Sequence, residues 1–119
     1  YSGRWDIVQA SQKLALRVAS GEIIASDIDE SKLSAAMTTH EVNDPDLFIR
    51  TSGEQRLSNF LLWQLVYSEL YFTPVYWPDF TSERFEEALA WFEQRERRFG
   101  KTTKQLTEFA EVNKTNVVK

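Results

Sequence analysis

Apolar residues recur at helical spacing over residues 4–20, where Ile7, Ala10, Leu14 and Val18 share one face with Ser11, and Gly21 supplies a stop. A shorter helix is expected over 30–38, with Asp29 as its N-cap and Leu33, Ala36 and Met37 as a narrow apolar face. Residues 39–45 are polar and close on Asp44-Pro45, a turn signal. Leu47-Phe48-Ile49 suits a short strand buried on both faces, which Thr51-Ser52-Gly53 breaks. From Asn59 to Ser68 the apolar side chains run almost all round, the pattern of a helix enclosed by a fold or an interface. Leu70-Tyr71-Phe72 and Val75-Tyr76-Trp77 straddle Pro74, predicting an edge or short strand and then a turn at Pro78. Thr81 or Ser82 should cap a long helix reaching about Phe99, with Phe85, Leu89 and Phe92 inward and Gly100 ending it. Beyond it the tail is polar apart from Leu106, Phe109 and Val112, and fraying is expected.

This order of elements suits an α/β fold, a mostly parallel sheet flanked by helices. Two strands are too few for such a sheet, so the chain reads as the C-terminal part of one, incomplete in itself. The domain expectation is residues 1–100 as the C-terminal part of a single catalytic domain, with 101–119 as the tail. Tyr1-Ser2-Gly3-Arg4-Trp5-Asp6 feeds straight into a helix and reads as the middle of a fold, so further residues are expected upstream. Open apolar faces predict self-association or exchange with another copy.

Composition narrows the classes. The 119 residues are 42% hydrophobic with eight Phe, four Tyr and four Trp, so an aromatic core is affordable for one domain. A net charge of −4 argues against general nucleic-acid binding and leaves room for a local basic pocket. The absence of Cys excludes a disulfide framework and a thiolate metal site, and is compatible with a reducing cytoplasm. No apolar run reaches the roughly 18 residues of a membrane span, and the first residues do not resemble a signal peptide.

The chemistry concentrates between Ile49 and Phe60. That stretch leads from the carboxyl end of a predicted strand, through a glycine loop, to the start of a predicted helix. Ligands of open α/β sheets gather at such strand ends, and a helix N-terminus suits phosphate. Arg50 and Arg56 can each fork two N–H donors onto phosphate oxygens. Ser58, the expected N-cap, can turn its hydroxyl to a ligand. A diphosphate clamp is one reading; the other pairs Arg50 with Asp46 or Glu54 and leaves Ser58 as a cap. Glu69 likewise has two readings, a partner for a structural arginine or a ligand of Mg²⁺, which takes one or two carboxylates and completes its shell with water and substrate phosphates.

The run from Pro45 through Asp46-Leu47-Phe48-Ile49-Arg50-Thr51-Ser52-Gly53-Glu54-Gln55-Arg56-Leu57-Ser58-Asn59-Phe60 to Gln64 closely resembles the signature of bacterial cis-prenyltransferases of the undecaprenyl diphosphate synthase type. Tyr67-Ser68-Glu69-Leu70-Tyr71-Phe72 and Trp77-Pro78-Asp79-Phe80 continue it. Gly3-Arg4-Trp5-Asp6-Ile7 and Arg95-Glu96-Arg97-Arg98-Phe99-Gly100 match blocks on either side. The resemblance spans nearly the whole chain to Gly100.

It implies an enzyme condensing isopentenyl diphosphate onto an allylic prenyl diphosphate, such as farnesyl diphosphate, to make a long polyprenyl diphosphate lipid carrier. Arg50, Arg56 and Ser58 would hold the isopentenyl diphosphate, Leu57 adding backbone, and Glu69 matches the family's magnesium ligand. Arg98 and Gly100 match an Arg-x-Gly element that crosses a homodimer interface. A cytoplasmic protein is implied, touching the membrane surface through its lipid product. The catalytic Asp and glycine loop for the allylic substrate belong to the family's N-terminal block and have no counterpart here, so the isolated chain is expected to be inactive. Ser2, Gln55 and Lys101 depart from common family residues, and Trp77 and Asp79 match positions read as architectural. His40, the single histidine, reads as an exposed loop residue. The rival readings are a non-catalytic partner subunit of the same fold and a plain anion-binding module.

Overall fold

The computed structural model describes residues 2–95, 102–108 and 110. The chain divides into two compact units, Tyr1–Trp77 and Pro78–Lys119.

The first unit opens with helix α1, Gly3–Ala19. Ser2 caps it, accepting from the Trp5 N–H at 3.2 Å, and Asp6 in the first turn faces the positive end of the helix dipole. At the other end Gly21, at φ 79°, allows a Schellman closure. There the Gly21 N–H donates to Val18 and the Glu22 N–H to Arg17, both at 3.0 Å. The buried positions Gly3, Asp6, Ala10 and Leu14 recur every three or four residues, so one stripe turns inward.

A single 3-10 turn, Ala25–Asp27, leads to α2, Glu30–Ala36. Its N-cap Asp29 accepts from the Lys32 N–H at 2.8 Å, as the sequence predicts. α2 packs against α1, and Met37 directly after it is 2% exposed. With Ala10, Leu14 and Leu65 it forms the apolar core of this unit.

Strand β1, Leu47–Arg50, pairs in parallel with β2, Glu69–Phe72, in the register Leu47↔Glu69 to Arg50↔Phe72. The expected parallel α/β arrangement is present. Both strands are half-buried rather than enclosed on two faces, because a sheet of two strands cannot cover itself. The pairing extends past the strands: the Thr73 N–H donates to Arg50 at 2.9 Å, the Gly53 N–H to Thr73 at 2.9 Å and the Ser52 N–H to Val75 at 2.8 Å.

The connection between the strands corrects the sequence reading. Residues 59–68 form successive turns and no regular helix. Ser58, Asn59 and Leu61 have φ of 51°, 62° and 45°, a left-handed backbone through which a right-handed helix cannot propagate. Asn59 is held there by α1. Its carbonyl accepts the Gly3 N–H at 2.6 Å, its side-chain oxygen accepts the Arg4 N–H at 2.9 Å, and its amide donates to Ser2 Oγ at 2.8 Å. These bonds occupy donors that every helix N-terminus leaves open.

In the second unit α3 covers Ser82–Glu93, ending earlier than the predicted Phe99. The Arg95 N–H reaches back to the Phe92 carbonyl at 3.0 Å, a tightened last turn. Helices in proteins are stabilised mostly by packing, and in α3 Ala88 is the buried residue. Phe85 and Leu89, expected inward, are 45% and 37% exposed. Within the segment read as a tail, residues 103–108 are helical. Thr102 and Gln105 cap each other there, the Thr102 N–H donating to Gln105 Oε1 at 2.8 Å and the Gln105 N–H to Thr102 Oγ1 at 3.3 Å. Among the described residues no helix is long and apolar enough to cross a membrane.

Candidate functional site

Arg50 is the last residue of β1, and the chain turns immediately beyond it. Ser52 at φ 66° and Gly53 at φ 73° make the reversal, and their N–H groups are pinned to the 73–75 segment. A left-handed conformation is natural for Gly53 and strained for Ser52. The result is a short loop fixed at the carboxyl end of the sheet, from which residues 54–58 project.

The Arg50 guanidinium folds over this loop and donates through Nη1 to the Arg56 carbonyl. Arg56 is itself turned toward Glu54: Nε donates to Glu54 Oε2 at 2.8 Å and Nη2 to the same oxygen. The Arg56 side chain is 68% exposed and that of Glu54 41%. Of the two sequence readings, the pairing of an arginine with Glu54 occurs, but through Arg56 rather than Arg50.

Ser58 is exposed and left-handed. It is therefore not the N-cap of a helix, since an N-cap has extended backbone and a helix to follow. The expected open helix end is replaced by a turn, which leaves the arginines and the loop N–H groups as the polar features of this end of the sheet. Leu57 is half-buried, and its carbonyl accepts the Phe60 N–H at 3.3 Å. The Phe60 ring lies 6.0 Å from that of Phe48, holding the turn against β1.

Glu69 opens β2, and its N–H donates to the Asp46 carbonyl at 2.9 Å. The register sets Glu69 opposite Leu47 and Arg50 opposite Phe72. At about 3.3 Å per residue, some 10 Å of strand separate the levels of Glu69 and Arg50. The structure thus brings Arg50 onto the Arg56 main chain at one end of the sheet, with Leu57 and Ser58 next along the chain, and leaves Glu69 at the other end. Among the described residues no group of three His, Cys, Asp or Glu side chains is gathered to hold a metal ion. Arg98 and Gly100 lie outside the described residues.

Sequence reasoning missed the supports behind this loop. Asp6 and Gln64 are 5% and 3% exposed. Asp6 accepts from the Thr38 N–H at 3.1 Å and from Gln64 Nε2 at 3.0 Å, and Gln64 also donates to Thr39 Oγ1 at 3.0 Å. Trp63 Nε1 donates to Ser34 Oγ at 2.9 Å. A polar residue amid the apolar run 60–67 was the available signal for Gln64; its partner was not legible.

Comparison with known proteins agrees with this architecture. Residues 1–100 match a prenyltransferase family described as putative undecaprenyl diphosphate synthase. The chain belongs to that family, the cis-prenyltransferases. It is 54% identical over 106 residues to a ditrans,polycis-undecaprenyl-diphosphate synthase ((2E,6E)-farnesyl-diphosphate specific) of Vibrio vulnificus, covering 89% of this chain and 42% of the relative. It is 56% identical over 103 residues to the protein of the same description from Yersinia pestis, covering 87% of this chain and 41% of the relative. Among solved structures, lavandulyl diphosphate synthase from Lavandula x intermedia, in complex with dimethylallyl diphosphate, matches with a TM-score of 0.82 and 47% identity. A probable undecaprenyl diphosphate synthase from Campylobacter jejuni matches with a TM-score of 0.70 and 35% identity. Each match covers 85% of this chain and 44% of that structure. The chain spans less than half the length of the curated relatives it matches.

Proposed function

We propose that the chain is the isopentenyl-diphosphate-binding part of a cis-prenyltransferase that extends farnesyl diphosphate or another allylic diphosphate into a long polyprenyl diphosphate. One observation carries this reading: the Arg50 guanidinium meets the Arg56 main chain at the carboxyl end of the parallel strands, within a family that the chain matches over residues 1–100. Two guanidinium groups on one pinned loop are suited to a diphosphate, whose oxygens accept forked N–H pairs. Ser58 adds a hydroxyl and Leu57 main-chain groups.

In the reaction the isopentenyl double bond attacks the allylic carbon, a carbon–carbon bond forms, and the allylic C–O bond breaks to release diphosphate. A proton then passes from the former isopentenyl unit to water or the released diphosphate, leaving a cis double bond. Arg50 and Arg56 bind and orient the nucleophile, so their contribution is positioning and charge neutralisation. Glu69 is the residue of this chain that would hold Mg²⁺, and the ion, when bound, would supply neutralisation of diphosphate charge. The working unit in this reading is a homodimer in the cytoplasm, at the membrane surface where its lipid product resides, with Arg98 and Gly100 crossing between subunits.

Calorimetric titration of the 119-residue chain with isopentenyl diphosphate tests the clamp. Saturable binding that Arg56→Ala weakens about a hundredfold supports it. Equal affinity for inorganic pyrophosphate and isopentenyl diphosphate would favour a plain anion-binding module instead.

A further inference from the structure

Glu54 presents its carboxylate to Arg56 alone among the described side chains of the loop, and the edge of the guanidinium it uses is informative. An arginine has five N–H donors in a rigid plane, of which two make a side edge, Nε–H with one Nη2 hydrogen, and two an end edge, one Nη1 hydrogen with the other Nη2 hydrogen. Both bonds to Glu54 Oε2 leave from the side edge. The end edge, also a fork matched to phosphate oxygens, receives no acceptor among the described residues. A carboxylate and a diphosphate can therefore share Arg56 without competing for the same hydrogens.

Arg56 is also the residue most in need of such restraint. Its side chain is 68% exposed, and a long exposed side chain loses rotamer freedom when a ligand immobilises it. Contact with Glu54, two residues away on the same pinned loop, restricts that freedom beforehand. Arg50 holds the Arg56 carbonyl, so main chain and side chain of Arg56 are each held by a different neighbour.

We propose that Glu54 is a positioning residue for Arg56: it grips the side edge of the guanidinium and directs the end edge to the diphosphate. The inference rests on reading Arg50–Ser58 as a diphosphate clamp. Its sign distinguishes it from simple electrostatics. A carboxylate beside an anion site opposes anion binding through its charge, so if charge were its whole effect, neutralising Glu54 would tighten binding. As a positioning residue its loss weakens binding despite the charge removed.

The experiment uses the 119-residue chain, titrated calorimetrically with isopentenyl diphosphate and separately with inorganic pyrophosphate, as wild type, Glu54→Ala, Glu54→Gln and Arg56→Ala. Glu54→Ala should weaken both ligands about tenfold, and Glu54→Gln about threefold, because the amide oxygen still accepts from the side edge with a weaker, neutral bond. The Arg56 Nε–H proton, followed by NMR, should be protected from solvent exchange in the wild type, partly in Glu54→Gln and not in Glu54→Ala. A general folding defect would not grade in this way with the acceptor retained. Unchanged or tighter binding in both Glu54 variants, with Arg56→Ala still disabled, overturns the positioning role and leaves the clamp standing. A wild-type chain that binds neither ligand, or an Arg56→Ala chain that binds as well, removes the clamp and the positioning role together.

Discussion

Gln64 and Asp6 meet in the interior, the Gln64 amide donating to the Asp6 carboxylate at 3.0 Å with each residue at least 95% buried. One belongs to the connection that follows the Arg50–Ser58 loop, the other to the first turn of α1. A carboxylate this deep is tolerable only with partners, and Asp6 has Gln64 on one oxygen and the Thr38 N–H on the other.

Removing either partner should therefore be costly. Gln64→Leu fills the space and strips one donor from a buried carboxylate, so the chain should lose about 1–3 kcal/mol of stability. Asp6→Ala leaves the Thr38 N–H and the Gln64 amide without their acceptor and should cost as much or more. Urea unfolding followed by circular dichroism checks both. A loss below about 0.5 kcal/mol in each would show that water replaces the missing groups.

The close approach of Gly3 to Leu62 leads to a second expectation. A Cβ on Gly3 would lie 2.7 Å from Leu62 Cγ and 2.8 Å from the Leu62 backbone nitrogen. The side-chain atom can swing away, but the backbone nitrogen moves only with the 59–62 turn. Gly3→Ala should destabilise the chain by about 1–3 kcal/mol, the usual range for overpacking. It should also perturb the NMR amide shifts of Asn59 and Leu62. A Gly3→Ala chain as stable as wild type would place that contact outside the folded state.

Asn59 combines two effects that a pair of substitutions separates. Asn59→Gly keeps the left-handed backbone at no steric cost and loses the side-chain bonds to Arg4 and Ser2. Asn59→Ala loses the same bonds and adds the left-handed penalty of about 1 kcal/mol. The alanine variant should thus be the less stable by roughly that amount, measured as the shift in urea midpoint. If alanine proves equal to glycine, the residue does not hold a left-handed backbone.

These cases also mark what was legible in the sequence. Helix α1, the Asp29 cap and the β1 and β2 segments follow from spacing and punctuation, because local chemistry decides them. The Arg50–Ser58 stretch stood out because arginines, glycine and serine cluster where α/β sheets bind ligands. The 59–68 run looked helical from its apolar content, yet periodicity is silent about a partner that competes for backbone groups. Asn59 gives its carbonyl and side chain to α1, a long-range choice that no local window contains. For the same reason Glu54 was legible as a partner for an arginine, but not that Arg56 rather than Arg50 would take it, nor by which edge of the guanidinium.

The clamp itself is best probed by holding charge constant and changing shape. Arg56→Lys keeps the positive charge and loses both the end-edge fork and the side-edge pair with Glu54. Isopentenyl diphosphate affinity should fall about tenfold, while the dependence of binding on ionic strength should stay close to wild type because the charges are unaltered. Arg56→Ala removes fork and charge together, so affinity should fall about a hundredfold, consistent with one lost charge-assisted hydrogen-bond pair of roughly 3 kcal/mol. Its salt dependence should be shallower, since one fewer cation faces the diphosphate. Titrations at two or three salt concentrations read both quantities. Were Arg56→Lys to bind as tightly as wild type, point charge would suffice and the planar fork would have no part in recognition; were the salt dependence of Arg56→Ala unchanged, the guanidinium would not face the ligand at all.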